Sequence, residues 1–203
     1  MAEGGVPLKP EDVLPPIPEG AMPTGEIQLI ATEIDSLHML FARELITYVM
    51  RRKVPGWKFM RQYSKPFPVT PFSYRIRHTV DFYLNKECIN FDTLFHIAFR
   101  DESIDYLGFV RVIRIAVNDA LKKMKSHNEV LRFLFVFAHF TSLAYLRGIL
   151  IAPYFALFNM KAILRVYTDR KCLSQEAFYG ELGYNAQKLI YEDAPVQFAV
   201  NRR

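Results

Sequence analysis

The chain has 203 residues, enough for one domain of ordinary size or a small domain with extensions. Hydrophobic residues make up 51% of it and aromatics 14%, which is too apolar for a disordered polypeptide. The net charge of +5 suits anionic lipid headgroups, acidic proteins or RNA, and does not by itself choose among them.

Residues 1–24 hold six prolines, at 7, 10, 15, 16, 18 and 23, and no helical periodicity. They are expected to form an extended arm laid along a neighbouring protein. The segment lacks the basic patch and apolar core of a secretory signal. It also carries Glu3, Glu11 and Asp12 ahead of the first arginine, Arg43, unlike a mitochondrial presequence. Entry into an organelle would then proceed without an evident cleavable presequence.

A first helix is predicted from Gly25 to Lys53, with Thr24 as N-cap. Ile27, Ile30, Ile34, Leu37, Phe41, Leu45, Tyr48 and Val49 form one apolar stripe, and Arg51, Arg52 and Lys53 close the helix as its dipole prefers. Prolines at 55, 66, 68 and 71 make residues 54–74 a loop. Its interleaved Trp57, Lys58, Phe59, Arg61, Tyr63 and Lys65 suit a membrane–water interface or a contact with a large assembly. Single-stranded nucleic acid fits the same composition, but no RNA-binding motif accompanies it.

Two shorter helices are expected near Arg75–Lys86 and Phe91–Phe99, and an amphipathic helix over Ser103–Lys125. The last of these ends on Lys122, Lys123 and Lys125, just before the most apolar part of the chain. Residues 101–108 contain Asp101, Glu102, Asp105 and Gly108 but fail the alternating pattern of a calcium loop.

Phe133–Phe158 is a run of 26 residues in which Arg147 is the only firmly charged side chain. A helix of that length would span about 39 Å, more than a hydrocarbon layer needs. Three structures compete for the run. One is a continuous membrane helix with Arg147 near its middle, at a cost of roughly 3 kcal/mol. The others are two shorter helices broken at Arg147-Gly148, and a soluble core helix needing neighbours on nearly every side. Membrane association is the favoured reading, since membrane helices tolerate Gly148 and Pro153. Lys161, Arg165, Arg170 and Lys171 follow the run as a second basic flank, and a final helix is predicted from Ser174 to about Tyr191.

The fold class is therefore all-α. Its divisions are an arm at 1–24, a helical region at 25–129, an apolar membrane segment at 130–160 and a C-terminal helical region at 161–203. Cys88 and Cys172 form no paired motif and are expected as two free, partly buried thiols. None of the five histidines has a zinc-binding spacing, and no phosphate loop or serine elbow occurs, so neither a metal nor a cofactor is expected. His139 and Arg147 lie about two turns apart on one helix face, where an active pair is conceivable. A hydrogen-bonded histidine and an arginine holding a partner carboxylate or lipid phosphate is the favoured account.

Together these traits resemble the supernumerary subunits of large mitochondrial inner-membrane assemblies. The resemblance implies a non-catalytic accessory subunit of a respiratory complex or ATP synthase. It would contact other subunits and anionic lipid such as cardiolipin through Arg147, His139, Lys122, Lys123, Lys125, Lys161, Arg165, Trp57, Lys58 and Arg61. A small membrane-bound enzyme or carrier using His139 and Arg147 is the alternative, and a mitochondrial ribosomal or RNA-associated protein is a third.

Overall fold

Helices, five of the six begun by a short polar cap, make up most of the described structure. The computed structural model describes residues 36–59, 70–100 and 104–200, with side chains through residue 190 apart from that of Cys88. Among these residues there are six α-helices and no strands: α1 (Leu37–Lys53), α2 (Tyr74–Ala98), α3 (Tyr106–Lys123), α4 (His127–Leu146), α5 (Ala152–Lys171) and α6 (Gln175–Val200). Residues 1–35, with the proline-rich arm, Thr24, Ile27, Ile30 and Ile34, together with 60–69 including Arg61, 101–103 including Asp101 and Glu102, and 201–203, lie outside the described set.

Each start has a local cause. The hydroxyls of Ser36, Ser73 and Ser174 and the carboxylate of Asp105 accept from a backbone N–H three residues on, at 3.2, 3.4, 3.2 and 2.8 Å. Ser126 and Glu129 form a capping box, with Ser126 Oγ accepting from Glu129 N–H (3.2 Å) and Glu129 Oε2 from Ser126 N–H (3.0 Å). Ser36 is extended (φ −77°, ψ 145°), so the predicted helix from Gly25 is not continuous and α1 starts at Leu37. The two short helices expected at 75–99 are in fact the single helix α2.

The apolar run divides in two. After Leu146 the chain closes a Schellman turn, in which Gly148 N–H donates to Tyr145 O (3.0 Å) and Ile149 N–H to Ala144 O (3.1 Å). Gly148 sits at φ +92°, which a residue with a Cβ adopts only under strain. Pro153 then falls in the first turn of α5, where its missing N–H costs nothing. The continuous 26-residue span is thus overturned, and the break at Arg147-Gly148 is the structure observed.

α1, α2 and α4 run parallel, and α3 and α5 run against them. Side-chain pairs fix this: Phe41 meets Phe72 and Tyr48 meets Asp81, Tyr83 meets Arg132 and Asp92 meets His139, while Phe59 meets Tyr154. At one end, the base, α1, α2, α4 and α6 begin. At the other, the crown, α1, α2 and α4 end while α3 and α5 begin. α4 packs against α1, α2, α5 and α6. It is the one described helix long and apolar enough to cross a membrane, and 61% of its most apolar window is buried inside the bundle. Leu131, Leu134, Phe135 and Ala138 have no exposed surface at all.

Candidate functional site

The ten residues singled out from the sequence fall into two groups, with Arg61 beyond the described set. At the crown, Arg147 is the residue closing α4. Its Nη2 contacts His96 Nε2 at 3.3 Å, and its guanidinium carbon lies 4.9 Å from the centre of the Phe95 ring. His139, two turns earlier, is 1% exposed, and its Nε2 pairs with Asp92 Oδ1 at 2.7 Å. Both residues therefore face α2 one turn apart (Asp92, His96) rather than each other. His139, being buried, cannot reach lipid or a partner while the bundle is closed.

Trp57 is likewise not an interfacial anchor. It is buried against Phe59 (ring centres 4.7 Å apart) and Tyr145 (6.3 Å), because the turn after α1 folds its aromatics over the ends of α4 and α5. Lys58, between them, is exposed. Alternation in that short extended segment sends the two rings inward and the ammonium outward.

The remaining basic residues sit toward the base. Lys122, Lys123 and Lys125 are exposed; Lys123 pairs with Asp119 at 2.7 Å, and the Lys125 N–H joins the capping box of α4. Lys161 is nearly buried, while Arg165 one turn on is exposed. Together with Asp169 they line an open cleft of about 440 Å³, whose wall also includes His38 and Thr168 of a polar cluster with no local sequence signature.

That cluster is His38, Thr168 and Tyr179, all buried. The single Thr168 hydroxyl hydrogen is shared between the carbonyls of Leu164 and Arg165 (3.0 Å each), an arrangement in which Thr168 Oγ1 accepts from His38 Nε2–H at 3.2 Å. His38 Nδ1 is then an acceptor and takes the Tyr179 hydroxyl proton at 2.8 Å. Every polar atom of the three is thereby used by a neutral imidazole. Burial, assisted by Lys161 and Arg165 and opposed by Asp169, holds the His38 pKa down at about 4. Burial also pushes the Tyr179 phenol well above its ordinary range. The arrangement fixes the start of α1 to α5 and α6.

Several exposed apolar side chains lie at the crown, while others, such as Tyr74, Ile89, Ile115 and Tyr184, are spread over α2, α3 and α6. Ile97 at the end of α2 is 62% exposed and Leu107 at the start of α3 is 70% exposed. Leu146, Leu150 and Ile151 around the α4–α5 turn are also exposed. Contacts from Phe95 to Phe140 and Phe99, from Phe99 to Phe109 and from Phe109 to Phe155 bring these helix ends together. Arg100 and Arg147 are exposed beside them. Ile97 lies off the buried line of Phe91 and Phe95 in α2 and Phe99 just after it, and whether such an off-line residue is covered depends on which helices meet.

Among the described residues, no group of three or more His, Cys, Asp or Glu could hold a metal ion. Cys172 is a free, exposed thiol rather than a partly buried one. No family model, curated protein or solved structure is found to match this chain.

Proposed function

We propose that this chain is a non-catalytic accessory subunit that docks onto a membrane-bound assembly through the crown of its bundle. In its finer form, the assembly is an inner-membrane complex of mitochondrial oxidative phosphorylation, either a respiratory complex or ATP synthase. The observation that carries the reading is the group of exposed Ile97, Leu107, Leu146, Leu150 and Ile151. Fully burying one such side chain is worth about 1.5–3 kcal/mol. Grouped apolar exposure of this kind marks contact surfaces rather than ordinary solvent-facing helix.

Two further features support the same reading. Arg147 stands at the edge of the crown, and a guanidinium has five N–H donors, of which the His96 contact engages one. An acidic partner group or an anionic lipid phosphate, as in cardiolipin, is its natural complement. The polar atoms of the most enclosed cluster are consumed within the fold, which favours a contact role over turnover by that cluster.

Native gel electrophoresis of gently solubilised membranes, with carbonate extraction alongside, tests the proposal. The expected result is co-migration with a large complex and weaker co-migration for Leu107→Ser combined with Ile151→Ser. Migration of the native chain as a lone monomer overturns the accessory role, and release by carbonate removes the membrane-embedded version of the docking.

A further inference from the structure

An open groove of about 340 Å³ lies between α1 and α2, which are bridged by long side chains such as Tyr48 to Asp81, and its lining is strongly basic. Arg43 and Arg51 lie eight residues apart on one face of α1, Lys58 enters from the turn after α1, and Arg77 comes from the first turn of α2. Glu44 is the only carboxylate in the lining, and it already accepts from the Thr70 hydroxyl. The other nearby acid, Asp81, is occupied outside the groove by Tyr48 Oη at 2.6 Å and by Arg52. Residues 60–69, which join Phe59 to Thr70, contain Arg61 and Lys65 and no carboxylate, so the sequence of that connection offers no neutralising charge.

The cations are held, not merely close. Arg51 Nε donates to the Trp57 carbonyl at 3.0 Å, and the Arg77 guanidinium lies 5.6 Å from the centre of the Phe72 ring. Arg43 is half-buried, and burial lowers its pKa against the opposing pull of Glu44. Three guanidiniums and an ammonium against the single carboxylate of Glu44 leave the lining of this small cavity positively charged. Planar forks match the tetrahedral oxygens of phosphate better than any other common anion except carboxylate. The volume suits one phosphorylated group rather than an extended polymer.

We propose that this groove is a binding site for a phosphate-bearing anion, held by Arg43, Arg51, Lys58 and Arg77. The ligand is either a free phosphorylated compound or the phosphate of a lipid headgroup, and the site does not depend on the crown-docking role. Calorimetric titration of the full chain with inorganic pyrophosphate is the direct test. Lys58→Gln with Arg77→Gln should weaken binding by about tenfold or more, since each lost contact is charge-assisted. Both residues are exposed, so the variant is expected to fold; its melting temperature checks this. Arg43→Lys, which keeps the charge and removes the fork, should weaken binding less. Lys122→Gln with Lys123→Gln removes equal charge from α3 and should leave affinity unchanged.

Flotation with phosphatidylcholine vesicles, with and without phosphatidylglycerol, separates the two sources. Vesicle binding that pyrophosphate competes away, and that the groove variant loses, assigns the site to lipid phosphate. Pyrophosphate binding without groove-dependent vesicle binding assigns it to a free compound. Absence of pyrophosphate binding, or equal loss in the α3 control, overturns the site.

Discussion

The base and the crown of the bundle treat unsatisfied groups in opposite ways. At the base, His38, Thr168 and Tyr179 take polar atoms into the interior and use all of them on one another and on backbone carbonyls. At the crown, Ile97, Leu107, Leu146, Leu150 and Ile151 leave apolar surface in the open. An enclosed polar network costs stability unless every member is paired, so the base belongs to the fold itself. Exposed apolar surface costs little internally and gains only when something covers it. Under the proposed docking role, the crown is the face that a partner would cover.

The largest effect that would sharpen this contrast comes from α4. Phe135 is fully buried, whereas Ile151, at the turn that follows α4, is exposed. Phe135→Ala should lower the free energy of unfolding by about 3–5 kcal/mol, the cost of a large core truncation. Ile151→Ser should change it by no more than about 0.5 kcal/mol, as surface substitutions usually do. Urea denaturation of the two variants reads both values. A comparable loss at Ile151 would show that the crown is core, and the distinction between the ends would collapse.

A second effect, of similar order, concerns acid. The His38 pKa falls from an ordinary 6.5 to about 4 in the folded state, so the unfolded chain binds more protons between those values. Stability from this group is therefore complete above pH 6.5, declines as pH drops toward 4, and levels off below it. A shift of that size corresponds to about 3 kcal/mol. Urea midpoints measured from pH 7 down to pH 4 should fall accordingly, and His38→Gln should flatten the decline. An unchanged slope in that variant would mean that the acid sensitivity arises elsewhere.

Much of this contrast was readable from residue order, and the unread parts have particular causes. The all-α class, the amphipathic α3 and the start of the final helix were legible, although Leu107 of α3 is exposed and α6 runs to Val200 rather than to about Tyr191. So was the weak point at Arg147-Gly148, because Gly supplies the positive φ that a Schellman turn requires. The cap signals Ser36, Ser73 and Ser126-x-x-Glu129 were also present, and they would have set the starts of α1, α2 and α4. Apolar periodicity alone ran the first helix back to Gly25. Burial of Trp57 and His139 was not legible, since it depends on which helices meet. The His38–Thr168–Tyr179 network joins residues more than 100 positions apart, and no local pattern announces it.

The smallest expected effect compares two turns of the same kind. α4 and α5 both end in Schellman turns: Ile149 and Gly148 N–H groups close the first, and Leu173 and Cys172 N–H groups donate to Thr168 O (3.1 Å) and Asp169 O (3.2 Å) in the second. The residue of positive φ is Gly148 at the crown (+92°) but Cys172 at the base (+53°). A Cβ added at Gly148 would meet nothing within 4 Å, so Gly148→Ala isolates backbone strain and should destabilise by about 1 kcal/mol. Cys172→Gly relieves the same strain and, with an exposed side chain to lose, should stabilise by about 0.5–1 kcal/mol. Thermal melts of the two variants should move in opposite directions. Movement in the same direction would mean that the Cys172 side chain has a stabilising contact at the base that its exposure does not suggest.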